Sequence, residues 1–145
     1  MADLMDIIKN WREDSKIDDT DLGKESLKIP TLHCKYYEMY MKERMILEKL
    51  KRELNGLEHL YTQYYSGQLG RDELKEHGLE QWDIKVLKGD IPRYLETTPP
   101  IIKLKDAMGI QSEKIDFIKS ILQQIQTRSF MIRDCIEWKK FSAGF

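Results

Sequence analysis

The sequence predicts an all-α protein. Two long segments carry apolar residues at intervals of three or four, which is the spacing of one face of an α-helix. Charged residues make up 34% and hydrophobic residues 41% of the 145 residues. This composition is typical of helices that bury one face and expose the other. We expect a short N-terminal helix, a long central helix, an irregular segment with short helices, and a long C-terminal helix.

The first half of the chain is predicted to hold two helices. The first spans residues 2–13, with an apolar side formed by Leu4, Ile7, Ile8 and Trp11. Residues 14–21 are a polar break with three candidate N-caps for the next helix, Asp18, Asp19 and Thr20. The long central helix then runs to about Ser66, where Gly67 and Gly70 end it, and Pro30 kinks or restarts its beginning. Its apolar row is Leu32, Tyr36, Tyr40, Leu47, Leu50, Leu54, Leu57, Tyr61 and Tyr64.

The segment 66–111 is less regular. Asp72 is predicted to cap a short helix at 73–76, and further short helices are expected near 80–88 and 92–96. Three prolines argue against a long helix in this segment: Pro92, Pro99 and Pro100. Short strands at 84–87 and 101–104 remain an open alternative.

The C-terminal helix is predicted to begin at Ser112 and to mediate self-association. Its heptad-like row consists of Ile115, Ile118, Leu122, Ile125, Ile132 and Ile136. Such a row favours packing against partner helices at a shallow angle. A second row lies beside it: Phe117, Ile121, Met131, Cys135 and Trp138. Two adjacent rows favour a closed ring over a dimer, so we assign oligomerisation to the first row and Trp138. The alternative is that this wide face packs into the chain's own core.

These elements divide the chain into an N-terminal helical region, residues 1–111, and a C-terminal oligomerisation helix, residues 112–145. We expect one compact protein rather than independent domains. The formal net charge is −1, which argues against a generally basic nucleic-acid binder. Two isolated cysteines do not form a disulfide framework and indicate a reducing compartment. We find neither a signal-peptide pattern nor an apolar run long enough for a membrane span.

Sequence patterns of catalysis are missing. The three histidines, His33, His59 and His77, have no partner at the spacing of a metal site. The phosphate-binding, dinucleotide-binding and nucleophile-elbow glycine motifs are also absent. The sequence therefore predicts a non-enzymatic protein without a metal or another cofactor.

One stretch combines cations with aromatic residues. The candidate DNA-binding residues are Lys49, Lys51, Arg52, His59, Tyr61, Tyr64, Tyr65 and Arg71. Lysine and arginine neutralise phosphates, and tyrosine rings offer surfaces on which unpaired bases stack, so the stretch suits single-stranded nucleic acid. The alternative is a solvated, salt-bridged helix face, because Glu48, Glu53 and Glu58 alternate with the cations.

Three short blocks carry a resemblance to a known family. They are Tyr-Tyr-Ser-Gly at 64–67, Thr-Arg-Ser-Phe-Met-Ile at 127–132 and Phe-Ser-Ala-Gly at 141–144. With the order of helices around them, they resemble the UvsY family of recombination mediators from T-even-type bacteriophages. The resemblance spans most of the chain but is weak over 85–111. One departure concerns the basic pair that the family has just before the Tyr-Tyr-Ser-Gly turn. His59 and Tyr61 hold those positions here, and Lys51, Arg52 or Arg71 would take over the contact with DNA.

The resemblance implies a non-enzymatic helical protein that forms rings of six or seven subunits in the cytoplasm of the infected bacterial host. It implies three kinds of partner: single-stranded DNA, a single-stranded-DNA-binding protein and a RecA-like recombinase that the mediator loads. A ring would present a sparse basic surface several times to one strand, which raises the affinity by about 10² or more. The alternative function is a coiled-coil structural or adaptor protein that does not bind nucleic acid.

Overall fold

A computed structural model describes residues 3–145, and within that range the chain is helical without any strand. The helices are α1 (Leu4–Asp14), α2 (Leu22–Leu27), α3 (Ile29–Tyr65), α4 (Arg71–Glu76), α5 (Ile91–Glu96) and α6 (Pro99–Ser142). A short 3₁₀ turn, Lys88–Asp90, precedes α5. The predicted all-α fold class and the order of long and short helices are confirmed.

The helix boundaries correct several predictions. The last helix begins at Pro99 rather than Ser112, because a proline at the first helical position lacks only an N–H that would have no intrahelical partner anyway. Residues 101–104 are therefore helical, and 84–87 lie outside any strand. The predicted short helix near 80–88 is absent apart from the 3₁₀ turn at its end. The N-cap of α2 is Asp21 and that of α4 is Gly70, rather than the predicted residues.

The chain forms two compact units. The terminal unit contains the described residues up to Met45 together with Gln111–Phe145, and the middle unit contains Ile46–Ile110. The long helices α3 and α6 contribute to both units. Residues 112–145 therefore share a core with the N-terminal helices.

The core of the terminal unit joins α1, α3 and α6. Its fully buried side chains are Ile7, Tyr36, Ile118, Ile121 and Ile125. The ring of Trp11 meets that of Tyr36 edge-on, with ring centres 5.4 Å apart, a favoured arrangement of aromatic pairs. Three of the five core residues come from α6, so the apolar face of that helix stabilises this unit directly.

A buried arginine connects the α1–α2 segment to α6. Arg128 is only 3% exposed, and its guanidinium donates to the backbone oxygens of Asp14 (3.2 Å) and Lys16 (3.1 Å) and to the Glu25 carboxylate (3.1 Å). Lys28 donates to the same carboxylate at 2.8 Å. The hydrogen bond from Lys28, followed by that from Arg128, outweighs burial and lowers the pKa of Glu25. The carboxylate therefore stays charged within the fold.

A second polar cluster joins α3 and α6 within the terminal unit. The Gln111 side chain donates to the backbone oxygen of Glu43 at 2.8 Å and to its carboxylate at 2.5 Å. The Lys114 ammonium group lies 3.5 Å from the same carboxylate. All three side chains are buried. Since buried polar groups are costly without partners, this network favours one alignment of α3 against α6.

Candidate nucleic-acid interface

The Tyr-Tyr-Ser-Gly sequence ends α3 in a tight turn. Gly67 has φ +74°, a left-handed conformation that glycine adopts without steric cost. The Gly67 N–H donates to the Tyr64 carbonyl at 3.2 Å, and the Gln68 N–H donates to the Gln63 carbonyl at 2.9 Å. This is the Schellman hydrogen-bond pattern, which satisfies the last carbonyls of a helix. The turn sends the chain back along α3 within the middle unit.

An aromatic cluster of the middle unit surrounds this turn. Its members are Tyr61, Tyr64, Tyr65, Trp82 and Tyr94. The ring centre of Tyr65 lies 4.9 Å from that of Trp82 and 5.4 Å from that of Tyr94. Burial, with a smaller contribution from Tyr65, raises the pKa of Tyr61 and of Tyr64. The hydroxyl groups of Tyr61 and Tyr64 therefore stay protonated at neutral pH.

The tyrosines predicted to stack on DNA bases also stabilise this unit. Tyr61 is buried, and the Tyr65 hydroxyl shares a 2.7 Å hydrogen bond with Thr98, which is itself buried. The Tyr64 hydroxyl donates to the Glu80 carbonyl at 2.8 Å. Tyr61 and Tyr65 thus have aromatic or polar partners inside the fold, whereas Tyr64 also faces a cavity.

The predicted cations are all exposed. Lys49, Arg52 and His59 recur at intervals of three and seven residues, which places them on one face of α3. Among the described residues, none of these three has an acidic partner within ion-pair distance, whereas Lys51 lies off this face and pairs with Glu48 at 3.2 Å. The predicted cations thus separate into a free group of three and a paired lysine.

A glycine lies in the middle of this face. Gly56 falls between Arg52 and His59 in the sequence, and a β-carbon at its position would have no neighbour within 4 Å. Packing therefore does not explain the glycine, although it weakens the helix relative to alanine. Its effect on the surface is to leave room for close approach of a ligand. We name Lys49, Arg52, Gly56 and His59 the α3 basic face.

A cavity of about 130 Å³ lies beside the turn, within the middle unit. Its lining includes Tyr64, Leu69, Arg71, Leu74, Gln81 and Trp82. The structure thus brings Arg71 together with Tyr64, as members of one site. Trp82 and Gln81 were missed by sequence reasoning. Their signal is a tryptophan next to an amide in a loop of mixed charged and apolar residues, but only the fold shows that they line the same cavity as Tyr64.

The predicted oligomerisation row is mostly buried within the terminal unit. Ile115, Ile118, Ile125 and Ile132 are buried and Leu122 is half-buried, so this part of the row follows the alternative of packing into the chain's own core. Ile136 and Trp138 are exposed. The row alone therefore does not provide a free surface for other subunits.

A different apolar surface is exposed on α6. It consists of Phe130, Met131, Trp138 and Phe141, which we name the α6 aromatic patch; each of these side chains is at least half exposed. Their intervals of one, seven and three residues place them on one side of the helix. Trp138 and Phe141 stack with ring centres 5.8 Å apart. Exposed aromatic rings that pack on each other in this way are typical of interaction surfaces.

No group of histidine, cysteine, aspartate and glutamate side chains among residues 3–145 is arranged to hold a metal ion. Within the same range, every helix is too short or too polar to cross a membrane.

Comparison with known proteins identifies relatives. The family model described as "Recombination, repair and ssDNA binding protein UvsY" matches residues 10–145. Two crystal structures of the bacteriophage T4 recombination mediator protein UvsY are similar in fold. The lattice type IV structure has 18% identity and a TM-score of 0.85, covering 97% of this chain and 99% of that chain. The lattice type II structure has 20% identity and a TM-score of 0.85, covering 99% and 100%. No curated protein sequence matches the chain.

Proposed function

The chain belongs to the UvsY family, and we propose that it acts as a recombination mediator that binds single-stranded DNA and helps a recombinase to assemble on it. The observation that carries this proposal is the family match over residues 10–145. The shared all-α fold supports it. The alternative of a structural or adaptor protein without nucleic-acid binding is not favoured by this match.

We propose that DNA binds the middle unit along the α3 basic face. Lys49, Arg52 and His59 are exposed there without acidic partners among the described residues. Phosphate contacts from Lys49 and Arg52 release counterions and supply affinity that is independent of base sequence. Gly56 lets the sugar-phosphate backbone approach the helix between these side chains. Arg71, exposed beyond the turn, would extend the surface towards the cavity.

We propose that the chain forms a homo-oligomer through the α6 aromatic patch. Trp138 is 67% exposed and Phe141 is 72% exposed, which is unusual for large rings in a protein that acts as a monomer. A second copy covering this patch would remove both rings from water. If the patch packs against a different surface of the next copy, repetition around an axis gives a ring, for which six or seven subunits is the number implied by the family resemblance.

Oligomerisation would make a weak DNA surface effective. A net charge of −1 and three unpaired basic-face side chains give each subunit a low affinity for a strand. When several subunits hold the same strand, each contact after the first is intramolecular, and the affinity rises by about 10² or more. Subunits that hold a strand at several points also compete for it with the single-stranded-DNA-binding protein that coats it.

The proposed partners are thus single-stranded DNA, its coating protein and a RecA-like recombinase, in the cytoplasm of an infected bacterial host. The chain would contribute no chemical step of its own. It would act by binding, because mediation requires only that the strand be held in a state that the recombinase recognises.

The test is displacement of the coating protein. A single strand is covered with fluorescently labelled single-stranded-DNA-binding protein, and recombinase is added with or without this protein. We expect faster loss of the label and faster filament growth when the mediator is present. The double variant Lys49→Gln/Arg52→Gln should lose this effect, because phosphate contacts are removed. Lys119→Gln, an exposed cation on α6, is the matched control and should retain it.

Two results would contradict the proposal. If the wild-type protein leaves both the label and the filament growth unchanged, mediation is wrong. If the Lys49→Gln/Arg52→Gln variant stays folded and is as active as wild type, the α3 basic face is not the DNA surface.

A further inference from the structure

The cavity beside the Gly67 turn has the size of one small aromatic ring. Its volume is about 130 Å³. For comparison, an apolar protein cavity of about 150 Å³ accommodates benzene, whereas drug-sized ligands occupy roughly 300 Å³ or more. A ligand group that enters it fully is therefore a single six-membered ring. A fused two-ring system would have to leave part of its surface outside.

The lining suits a planar, polar ring. Tyr64 and Trp82 provide aromatic surfaces whose ring centres are 5.5 Å apart and whose planes are inclined by 49°. The hydrogen bond from Tyr64 to the Glu80 carbonyl holds its ring in place, so the site is formed before a ligand arrives. Leu69 and Leu74 close the remaining wall with apolar surface. Stacking on fixed rings is how proteins commonly hold unpaired bases.

The polar groups of the cavity complement the edge of a pyrimidine. The Gln81 amide offers a donor and an acceptor side by side, which matches the N–H and carbonyl groups of thymine. The exposed Arg71 would meet the adjoining phosphate.

We propose that this cavity binds one unstacked pyrimidine base of single-stranded DNA, a proposal that rests on the proposed function. The base lies in the cavity against Tyr64 and Trp82, Gln81 contacts its edge, and Arg71 contacts the phosphate. The α3 basic face binds every sequence alike, so the cavity adds a preference for pyrimidine-rich strands. It also fixes one nucleotide per subunit at a defined place.

The first experiment compares homopolymers. Fluorescence anisotropy measures the affinity of the full chain for oligo(dT) and oligo(dA) of equal length and at one salt concentration. Two variants alter the cavity: Leu74→Phe fills it, and Gln81→Leu keeps its size but removes the edge contacts. Gln68→Leu is the matched control, because Gln68 is exposed just outside the lining.

We expect wild type and Gln68→Leu to prefer oligo(dT). Leu74→Phe should lose roughly tenfold in affinity for oligo(dT) and much less for oligo(dA), so that the ratio of the two affinities falls. The ratio is compared between wild type and variants because the bases of oligo(dA) stack on one another, which lowers its affinity for any protein. Equal ratios in wild type and both cavity variants would overturn the proposal while leaving single-strand binding intact. Failure of every oligonucleotide to bind would overturn the proposed function as well.

A second experiment locates the base. An oligonucleotide that carries 5-iododeoxyuridine is irradiated in complex with the full chain, and the attachment site is found by mass spectrometry. Attachment to Tyr64 or Trp82 in wild type, and its loss in Leu74→Phe, supports the cavity. Efficient attachment exclusively elsewhere contradicts it, even if Leu74→Phe proves to be unstable.

Discussion

The proposed subunit contact through the α6 aromatic patch can be tested by a mutation that should affect assembly without affecting folding. The double variant Trp138→Ser/Phe141→Ser removes two rings that are 67% and 72% exposed in the subunit. An aromatic side chain buries about 150–250 Å² when it is covered, so two-thirds of that area is roughly 100–170 Å² for each ring. At about 25 cal/mol per Å², covering each ring contributes about 2.5–4 kcal/mol to a subunit contact. Removing both should therefore break the assembly.

The assay is analytical ultracentrifugation across a concentration series, with circular dichroism on the same samples. We expect wild type to sediment as an oligomer and the double variant as a folded monomer or small oligomer. Ile118→Ala should instead lower stability, because Ile118 is fully buried. Its truncation costs about 2–5 kcal/mol of unfolding free energy. Leu27→Ser is the matched control, since Leu27 is 80% exposed but lies outside the patch.

The double variant also tests the link between assembly and DNA binding. No member of the α3 basic face is changed in it, yet the affinity for a long single strand should fall by about a hundredfold when multivalent contact is lost. An oligomer of wild-type size in the double variant would refute the assignment of the patch. A folded monomer that binds long strands as tightly as wild type would refute the multivalent mechanism.

Four further predictions concern other contacts of the chain. Arg128→Met should lower the free energy of unfolding by about 3–5 kcal/mol, measured with urea, because it leaves the buried Glu25 carboxylate without one of its two cationic partners. In wild type the pKa of Glu25 is lowered from 4.5, so the stabilising effect of its charge is present above about pH 4.5 and is lost as the pH falls further. Urea titrations between pH 6 and pH 3 should show this loss of stability. The loss should be smaller in Arg128→Met. Lys49→Gln/Arg52→Gln should reduce the salt slope of binding by about 0.7 for each lost phosphate contact, and an unchanged slope would exclude these residues. Tyr65→Phe should cost about 0.5–1.5 kcal/mol of stability, seen in thermal melts, and should leave base stacking unaffected because only the hydroxyl group is lost.

Periodicity predicted which residues of α6 are buried but not what buries them. The row that includes Ile118 and Ile125 follows the heptad interval, and the same interval serves an intramolecular core and a subunit contact equally well. In the structure α1 and α3 cover this row. The exposed patch was harder to predict, because Phe130 and Phe141 lie outside both apolar rows identified in the sequence.

The start of α6 shows a different limit of predicting helices from the sequence. Proline was interpreted as a signal against helix, which is correct inside a helix but not at its first turn. The interpretation of Pro30, at the restart of α3, was confirmed on the same physical ground. Whether Pro99 breaks or begins a helix depends on the hydrogen-bond partner of the preceding residue. The Thr98 carbonyl accepts a hydrogen bond from Ile102 at 3.0 Å, and this contact is visible only in the fold.

The candidate DNA site was predictable in its residues but not in its arrangement. Tyr64 and Arg71 were identified as candidates because their types suit nucleic acid, and their proximity depends on the Gly67 turn. Trp82 enters the same cavity from a loop without regular structure, where no periodicity links it to α3. Contacts made through turns and loops depend on backbone angles that composition does not specify.

The contact of Arg128 with the α1–α2 segment has a consequence for biosynthesis. Asp14 and Arg128 are 114 residues apart in the chain, and translation at 5–20 residues per second takes roughly 6–23 s to cover that distance. For most of this interval Ile7 and Tyr36 have been made but lack the α6 side chains that cover them. The middle unit is synthesised completely within the same interval and is free to fold first. The nascent chain therefore exposes its N-terminal apolar face to chaperones until α6 arrives, and a variant that slows docking of α6 should reduce the soluble yield in cells more than its equilibrium stability indicates.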